Sequence, residues 1–166
     1  MRAIVGIDPG VTGALALYDP DKSKESGLRW YVIDMPVIGG DRQELNAPSL
    51  RDFLVKYDPA HAFLELAGPM PRDGRVGAFK YGSVYGGIKA VLACCGVPYT
   101  VVTSPVWKKH ARLKTGSDKH ASRLRAIELF PDQSATLARR MDHNRAEAML
   151  IASFGHTRII NEGELL

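Results

Sequence analysis

Short apolar runs that end in a single acidic residue dominate the hydrophobic pattern of this chain. The first run, residues 4–7, leads into Asp8 and a Pro9-Gly10 turn, after which residues 13–18 are apolar again. Two such runs across a tight turn predict a pair of antiparallel strands. Asp8 is therefore expected at the end of a core strand, where an ionised carboxylate is costly unless its charge is offset. An ordinary turn aspartate is the alternative interpretation.

The rest of the pattern predicts alternating strands and helices. Further strands are predicted at residues 28–35, 60–66 and 97–103, and helices at residues 49–57, 83–95, 104–110, 118–130 and 142–156. Ser104 is expected to cap the third helix, and Ser117 or Asp118 the fourth. This order is that of a ribonuclease H-like α/β domain: a mixed five-stranded sheet, three antiparallel strands then two parallel ones, flanked by helices. No repeat or long linker divides residues 1–166, which predicts a single domain.

Three more acids lie in apolar surroundings. Glu65 interrupts the fourth apolar run, Glu147 lies in the apolar last helix, and Asp142 stands at the start of that helix. The predicted fold brings these elements to Asp8. Residues five apart on a helix are separated by about 140° around its axis, so Asp142 reaches the side of Glu147 only from an N-cap position.

Converging carboxylates of this kind suit a pair of hard cations. Magnesium prefers oxygen ligands, and two ions about 3.5–4 Å apart can promote phosphodiester hydrolysis. The predicted metal ligands, which are also predicted catalytic residues, are Asp8, Glu65, Asp142 and Glu147. By face geometry alone, His143 and Asn144 are better placed beside Glu147 than Asp142 is, and His143 is the second choice of ligand.

Composition and charge narrow the class of protein. The 45% hydrophobic and 24% charged content is ordinary for a globular chain, and no apolar run approaches the roughly 20 residues of a membrane span. Cys94 and Cys95 are adjacent, which argues against a disulfide framework and predicts a reducing, cytoplasmic location. The net charge of +4 is concentrated in basic residues of the C-terminal half, as expected for a polyanion partner. A solvated helix surface is the alternative.

A Gly-rich, aromatic and basic segment spans residues 69–87. Glycines allow close approach to a phosphate backbone, and bases can stack on aromatic rings such as Tyr81 and Tyr85. A plain loop leading into a helix, with the tyrosines packed inside, is the alternative. The DNA contacts predicted from this segment and from the basic half are Arg72, Arg75, Lys80, Tyr81, Lys108, Lys109, His110, Lys114 and Arg123.

Several longer motifs belong together. They include Gly6-Ile-Asp8-Pro-Gly10, Leu64-Glu65, Pro69-Met-Pro-Arg-Asp-Gly74, Pro105-Val-Trp107-Lys108-Lys109-His110, Lys119 to Arg123, Leu129-Phe130-Pro131 and Asp142-His-Asn-Arg-Ala-Glu147-Ala. In these motifs the chain resembles the RuvC-type Holliday junction resolvases. It is most similar to the branch that includes the chloroplast junction resolvase and its bacterial and phage relatives.

This resemblance implies a homodimer that cuts four-way DNA junctions by paired nicks, using two Mg²⁺ or Mn²⁺ ions per site. It implies that the four acids are the metal ligands, that Lys119 lies near the scissile phosphate, and that residues 71–82 probe the junction centre. The bacterial RuvC branch has its third ligand at the position of Asn144, and the chloroplast branch has tryptophans where residues 76–79 stand here.

Three other functions fit parts of the pattern. The first hairpin also resembles the phosphate-binding hairpin of actin-like sugar and acetate kinases, but those enzymes use two such domains. A ribonuclease for RNA–DNA hybrids would share the fold and metals, and a non-catalytic junction-binding module would lack at least one acid. For a homodimer, the candidate contacts are Phe154, Trp107 and the helix at residues 83–95.

Overall fold

A mixed sheet forms the centre of the computed structural model, which describes residues 3–22, 29–40, 42–66, 68, 74–114 and 118–162. Its five strands are β1 (Ile4–Asp8), β2 (Ala14–Tyr18), β3 (Trp30–Asp34), β6 (His61–Leu66) and β7 (Tyr99–Thr103), in the order β3-β2-β1-β6-β7. The first three strands are antiparallel, and β1, β6 and β7 are parallel. This arrangement confirms the fold class predicted from the sequence.

Helices cover both faces of the sheet. They are α1 (Ala47–Tyr57), α2 (Arg75–Cys94), α3 (Ser104–His110), α4 (Lys119–Leu129) and α5 (His143–Glu162), with a 3₁₀ turn at Pro131–Gln133. Val5 and Ile7 of β1 share a core with α1 and α2, whereas Phe63 of β6 shares the opposite core with α3 and α5. Successive strand residues point to opposite faces, so each strand serves both cores. In the described part of the chain, no helix meets the length and hydrophobicity that a membrane crossing needs.

Helix α5 lies in direct contact with the sheet because two glycines leave room for it. A Cβ atom on Gly6 of β1 would stand 2.2 Å from the carbonyl oxygen of Ala148, and one on Gly155 would stand 2.2 Å from the ring of Phe63. At the other end, the side-chain amide of Asn144 donates to the carbonyl of Thr12 in the β1–β2 turn. The first turn of α5 therefore lies beside the end of β1.

Two local expectations are wrong. Helix α2 begins at Arg75, eight residues before the predicted start; its buried residues Val84, Ile88 and Leu92 all lie in the predicted part, so no apolar period marks the first turns. A two-stranded hairpin, β4 (Val37–Ile38) and β5 (Glu44–Leu45), forms in a region where the sequence analysis predicted no strand. Strands of two residues are too short to show a period in the sequence.

Of the two predicted helix caps, one is confirmed and one is wrong. Asp118 caps α4, accepting a 2.8 Å hydrogen bond from the backbone N–H of Ala121, as one of the two predicted starts requires. Ser104 does not cap α3, because Thr103 holds the N-cap position and makes no side-chain cap. The hydroxyl of Ser104 is used elsewhere, at Glu65.

Candidate active site

Asp8 and Glu65 lie side by side at one edge of the sheet. The parallel β1–β6 ladder pairs Ile7 with Leu64, so Asp8 and Glu65 are the next two residues at the C-terminal ends of their strands. They share a face with Gly6 and Phe63, both of which contact α5. Although charged, Asp8 is only 8% exposed and Glu65 only 6%. The predicted pair of strand-end acids is thus brought together beneath the first turns of α5.

Helix α3 holds Glu65. Oε1 of this carboxylate accepts a hydrogen bond from the hydroxyl of Ser104 and a second, 3.0 Å long, from the indole N–H of Trp107. The two donors are three residues apart and therefore lie on one face of the helix. Trp107 is fully buried, so the prediction that it contacts a second copy of the chain is wrong.

Glu147 lies where α3, α4 and α5 meet. Its Oε1 accepts a 3.0 Å hydrogen bond from the hydroxyl of Ser122 on α4, and Nζ of Lys108 stands 4.0 Å from the same oxygen. Lys108 is one residue beyond Trp107, so adjacent residues of α3 face the two glutamates. With 16% of its side chain exposed, Lys108 belongs to this site more than to the outer surface.

Asp142 precedes the first residue of α5, as the N-cap prediction requires, and its carbonyl accepts from the N–H of Ala146 at 3.0 Å. Its carboxylate, however, is bound by Arg139: Nε and Nη2 donate to Oδ1 at 3.0 and 2.7 Å, and the backbone N–H donates to Oδ2. Burial acts to raise the pKa of Asp142, but the bonds and charge of Arg139 outweigh it and lower the pKa below its usual value.

The four acids supply the donors that a hard divalent cation prefers, and all four are buried. Within the described residues, no three Asp, Glu, His or Cys side chains are placed to close on one ion. The side chain of Asn144 points its amide nitrogen at Thr12, and Nδ1 of His143 lies 3.4 Å from the carbonyl of Arg140. The residue types fit a metal centre, and Asp142 would have to exchange Arg139 for the ion.

The predicted DNA contacts fall into two groups. Arg75, Lys109 and Lys114 are exposed, and Lys80 is half-buried. Tyr81 belongs to the second group, whose side chains pack against other parts of the protein. The Tyr81 ring lies beside Gly10 and stacks on Tyr85, with ring centroids 6.1 Å apart.

Two further predicted contacts fit a phosphate poorly. His110 is exposed as a residue, but its ring packs edge-on against Phe154, and partial burial lowers its pKa, which favours the neutral form. Arg123 donates to the carbonyl of Leu137 at 2.7 Å, and this inward bond argues against the predicted DNA contact. Arg72 and the side chain of Lys119 lie outside the described part of the chain.

Known proteins share this architecture. The complex of T. thermophilus RuvC with a Holliday junction substrate superimposes with a TM-score of 0.62, over 98% of this chain and 97% of RuvC, at 18% identity. The chain has the RuvC fold. The yeast mitochondrial Holliday junction resolvase Ydc2 gives a TM-score of 0.55 at 14% identity, covering 99% of this chain and 85% of Ydc2.

One curated relative matches at the sequence level, and no family model matches. The chloroplastic Holliday junction resolvase MOC1 of Chlamydomonas reinhardtii is 28% identical over 169 residues. The alignment covers 84% of this chain and 19% of MOC1, so this chain spans about a fifth of its relative. The resemblance to RuvC-type resolvases drawn from the sequence is confirmed.

The contacts that four residues make with the acids were not predicted from the sequence. These residues are Ser104 and Trp107, which donate to Glu65, Ser122, which donates to Glu147, and Arg139, which binds Asp142. Trp107 carried a signal, since a tryptophan in a short basic helix needs a partner for its N–H. Ser122 carried none, because its contact depends on how α4 and α5 pack. Arg139 lies only three residues before Asp142, a spacing that could have suggested the ion pair.

The Arg139–Asp142 contact predicts a pH-dependent contribution to stability. Because the pKa of folded Asp142 lies below its usual 3.8, the ionised carboxylate stabilises the fold above about pH 4, and this contribution is lost as pH falls through the folded pKa. Asp142→Asn should therefore lower the free energy of unfolding by about 1–3 kcal/mol at pH 7 and by less at pH 3. Urea unfolding in a chelator, beside the exposed-site control Asp132→Asn, measures this. An equal loss at both pH values would contradict it.

Proposed function

We propose that this chain is a structure-selective endonuclease that resolves four-way DNA junctions by metal-dependent hydrolysis of phosphodiester bonds. The observation that carries the proposal is the set of buried acids at the C-terminal edge of the sheet, with Asp8 and Glu65 adjacent and Glu147 facing the same helix, α3. MOC1, which is similar in sequence, and Ydc2, which shares the fold, are named as Holliday junction resolvases, and RuvC is seen in complex with a Holliday junction substrate; these findings support this substrate.

We propose Asp8, Glu65, Glu147 and Asp142 as the residues that hold two Mg²⁺ or Mn²⁺ ions, with His143 as the second choice to Asp142. When bound, such ions supply an activated water and neutralise charge on the phosphate. The chain's own part is to fix the carboxylates and to exclude bulk water from them, and their low exposure fits both tasks. Lys108, beside Glu147, is placed to contact a phosphate oxygen, and we retain Lys119 as a second such lysine.

A homodimer is part of the proposal. A four-way junction offers symmetry-related strands, and two copies of one chain related by a two-fold axis present two equivalent sites to them. We further infer that residues 1–166 form one nuclease domain, since helices cover both faces of its sheet. The cytoplasmic location stays a prediction, and the Chlamydomonas relative is named as a chloroplast protein.

Contact with the DNA backbone should rest on the exposed cations. Lys109→Ala should weaken junction binding several-fold and reduce the slope of log Kd against log salt by about one unit, because each phosphate contact releases about one counterion. Lys56→Ala is the matched control, since Lys56 is also exposed but lies on α1, against the opposite face of the sheet. Equal affinities and slopes for Lys109→Ala and the wild type would show that Lys109 does not contact the DNA backbone.

The assignment is tested by strand cleavage of an end-labelled immobile four-way junction with Mg²⁺, beside a linear duplex and an RNA–DNA hybrid of the same sequence. Paired nicks in opposite strands of the junction, with the duplex and hybrid intact, are the expected result. The assay uses several junction sequences, so that a preference for particular bases is not mistaken for inactivity. No cutting of any junction, or equal cutting of the hybrid, would refute a junction resolvase.

A further inference from the structure

Glu65 accepts hydrogen bonds from the neutral donors Ser104 and Trp107. Glu147 accepts one from the neutral donor Ser122 and also has Nζ of Lys108 4.0 Å from the same oxygen. We propose that Trp107, Ser104 and Ser122 are positioning residues that fix the two glutamates for metal binding, with Trp107 the most important. This inference rests on the proposed function, and it concerns residues that do not themselves touch the metal or the DNA.

The indole of Trp107 is a rigid donor. Its ring is fully buried in the core shared with α5, so the direction of its N–H is set by packing and not by the carboxylate. A glutamate side chain has three rotatable bonds and, without fixed donors, would sample several rotamers. Ser104, one turn earlier on α3, donates to the same oxygen, Oε1. Two donors on one oxygen define the plane in which Oε2 lies.

Ser122 plays the corresponding part for Glu147. It is completely buried, and its hydroxyl donates to Oε1 of Glu147 at 3.0 Å. Ala126, one turn later on α4, is buried in a core that also contains Ala146 of α5, so an alanine at position 122 would have a size that this region accepts. A buried hydroxyl is costly unless it is bonded. The hydrogen bond to Glu147 therefore accounts for a hydroxyl group at this buried position.

At Glu65 the neutrality of both donors is what points to a cation, whereas Glu147 also has Nζ of Lys108 4.0 Å from Oε1. A neutral N–H or O–H orients a carboxylate while leaving its full negative charge in place. Arg139 does the opposite at Asp142, where it supplies a positive charge as well as the hydrogen bonds. Donors that orient metal ligands from behind commonly change metal affinity about 10–100-fold when they are removed.

The test is Mn²⁺ binding to the DNA-free protein, measured by calorimetry. Trp107→Phe keeps an aromatic ring but loses the N–H, and should weaken Mn²⁺ binding by about tenfold or more. The matched control is Trp30→Phe, because Trp30 is the only other tryptophan, is buried in the same core and packs against Phe130. Its Mn²⁺ affinity should stay within about twofold of wild type.

Fluorescence gives a second readout that is independent of cleavage. In Trp30→Phe the sole indole is Trp107, whose emission should change as Mn²⁺ or Ca²⁺ binds beside Glu65. In Trp107→Phe the sole indole is Trp30, and its emission should not respond. A similar loss of thermal stability in both variants, with loss of metal affinity in only one, separates positioning from general destabilisation.

Serine variants keep the proposal testable if Trp107→Phe does not fold. Ser104→Ala and Ser122→Ala should each weaken Mn²⁺ binding several-fold, whereas the half-buried Ser153→Ala on α5 should not. Wild-type affinity in Trp107→Phe, or in both serine variants, would overturn the positioning role while leaving the junction nuclease intact. Absence of Mn²⁺ binding by the wild-type protein would instead overturn both this inference and the metal centre of the proposed function.

Discussion

Asp8→Asn or Glu65→Gln should reduce junction cleavage by about 1,000-fold or more while junction affinity stays within about threefold of wild type. Each amide has nearly the shape of the acid it replaces but no charge, so it removes a metal ligand without opening a cavity. A thousandfold loss corresponds to about 4 kcal/mol of transition-state stabilisation. Both residues are buried at the sheet edge, so neither substitution alters the exposed cations expected to bind the backbone.

Single-turnover cleavage and gel-shift binding of the same labelled junction measure the two effects separately. Asp52→Asn is the control, because this acid is 66% exposed on α1 and pairs only with its neighbour Arg51 among the described ion pairs. A cleavage rate near wild type for either Asp8→Asn or Glu65→Gln would show that the acid at that position is not a ligand. Loss of binding in step with cleavage would indicate a damaged fold instead.

The second large effect is expected at Gly6. A methyl group there would meet the backbone of α5 at Ala148, 2.2 Å away, and at the nitrogen of Ala152, 2.5 Å away, and backbone atoms cannot rotate aside. Gly6→Ala should lower the free energy of unfolding by about 3 kcal/mol, near the upper end of ordinary overpacking costs. Because α5 carries Glu147, the same change should also impair cleavage by the protein that remains folded.

The matched control is Gly82→Ala in α2. A Cβ at Gly82 meets nothing within 4 Å, and the residue is exposed inside a helix. Alanine is a better helix former than glycine, so this variant should gain up to about 1 kcal/mol. Urea unfolding of both variants provides the comparison. A Gly6→Ala protein as stable as wild type would mean that α5 does not lie directly on β1.

The burial of the strand-end acids could be predicted from the sequence, because an apolar run marks a strand that is buried. A carboxylate at the end of an apolar strand, as at Asp8 and Glu65, has few structural explanations, and parallel pairing places both at one edge. Glu147 was found by the same logic on an apolar helix. The start of α2 was missed because its first half buries little, leaving Val76 and Phe79 exposed, so no apolar period marked it.

The contacts of the basic residues could not be predicted from their number. Arg139 binds Asp142, Arg145 binds Asp34 at 2.6 Å, and Arg125 binds Glu128 at 2.7 Å. These three arginines of the C-terminal half are therefore paired within the molecule. Arg125 and Arg139 each lie three residues before their partners in the sequence, whereas only the packed structure brings Arg145 to Asp34.

The most direct test of the metal centre is anomalous diffraction from crystals of the protein soaked in Mn²⁺. We expect two anomalous peaks about 3.5–4 Å apart, between the strand-end acids Asp8 and Glu65 and the first turns of α5, with Arg139 moved away from Asp142. In Glu65→Gln crystals at least one peak should disappear. Mn²⁺ peaks only at surface acids, with the Arg139–Asp142 contact unchanged, would contradict the assignment of this edge of the sheet as a metal-dependent nuclease site.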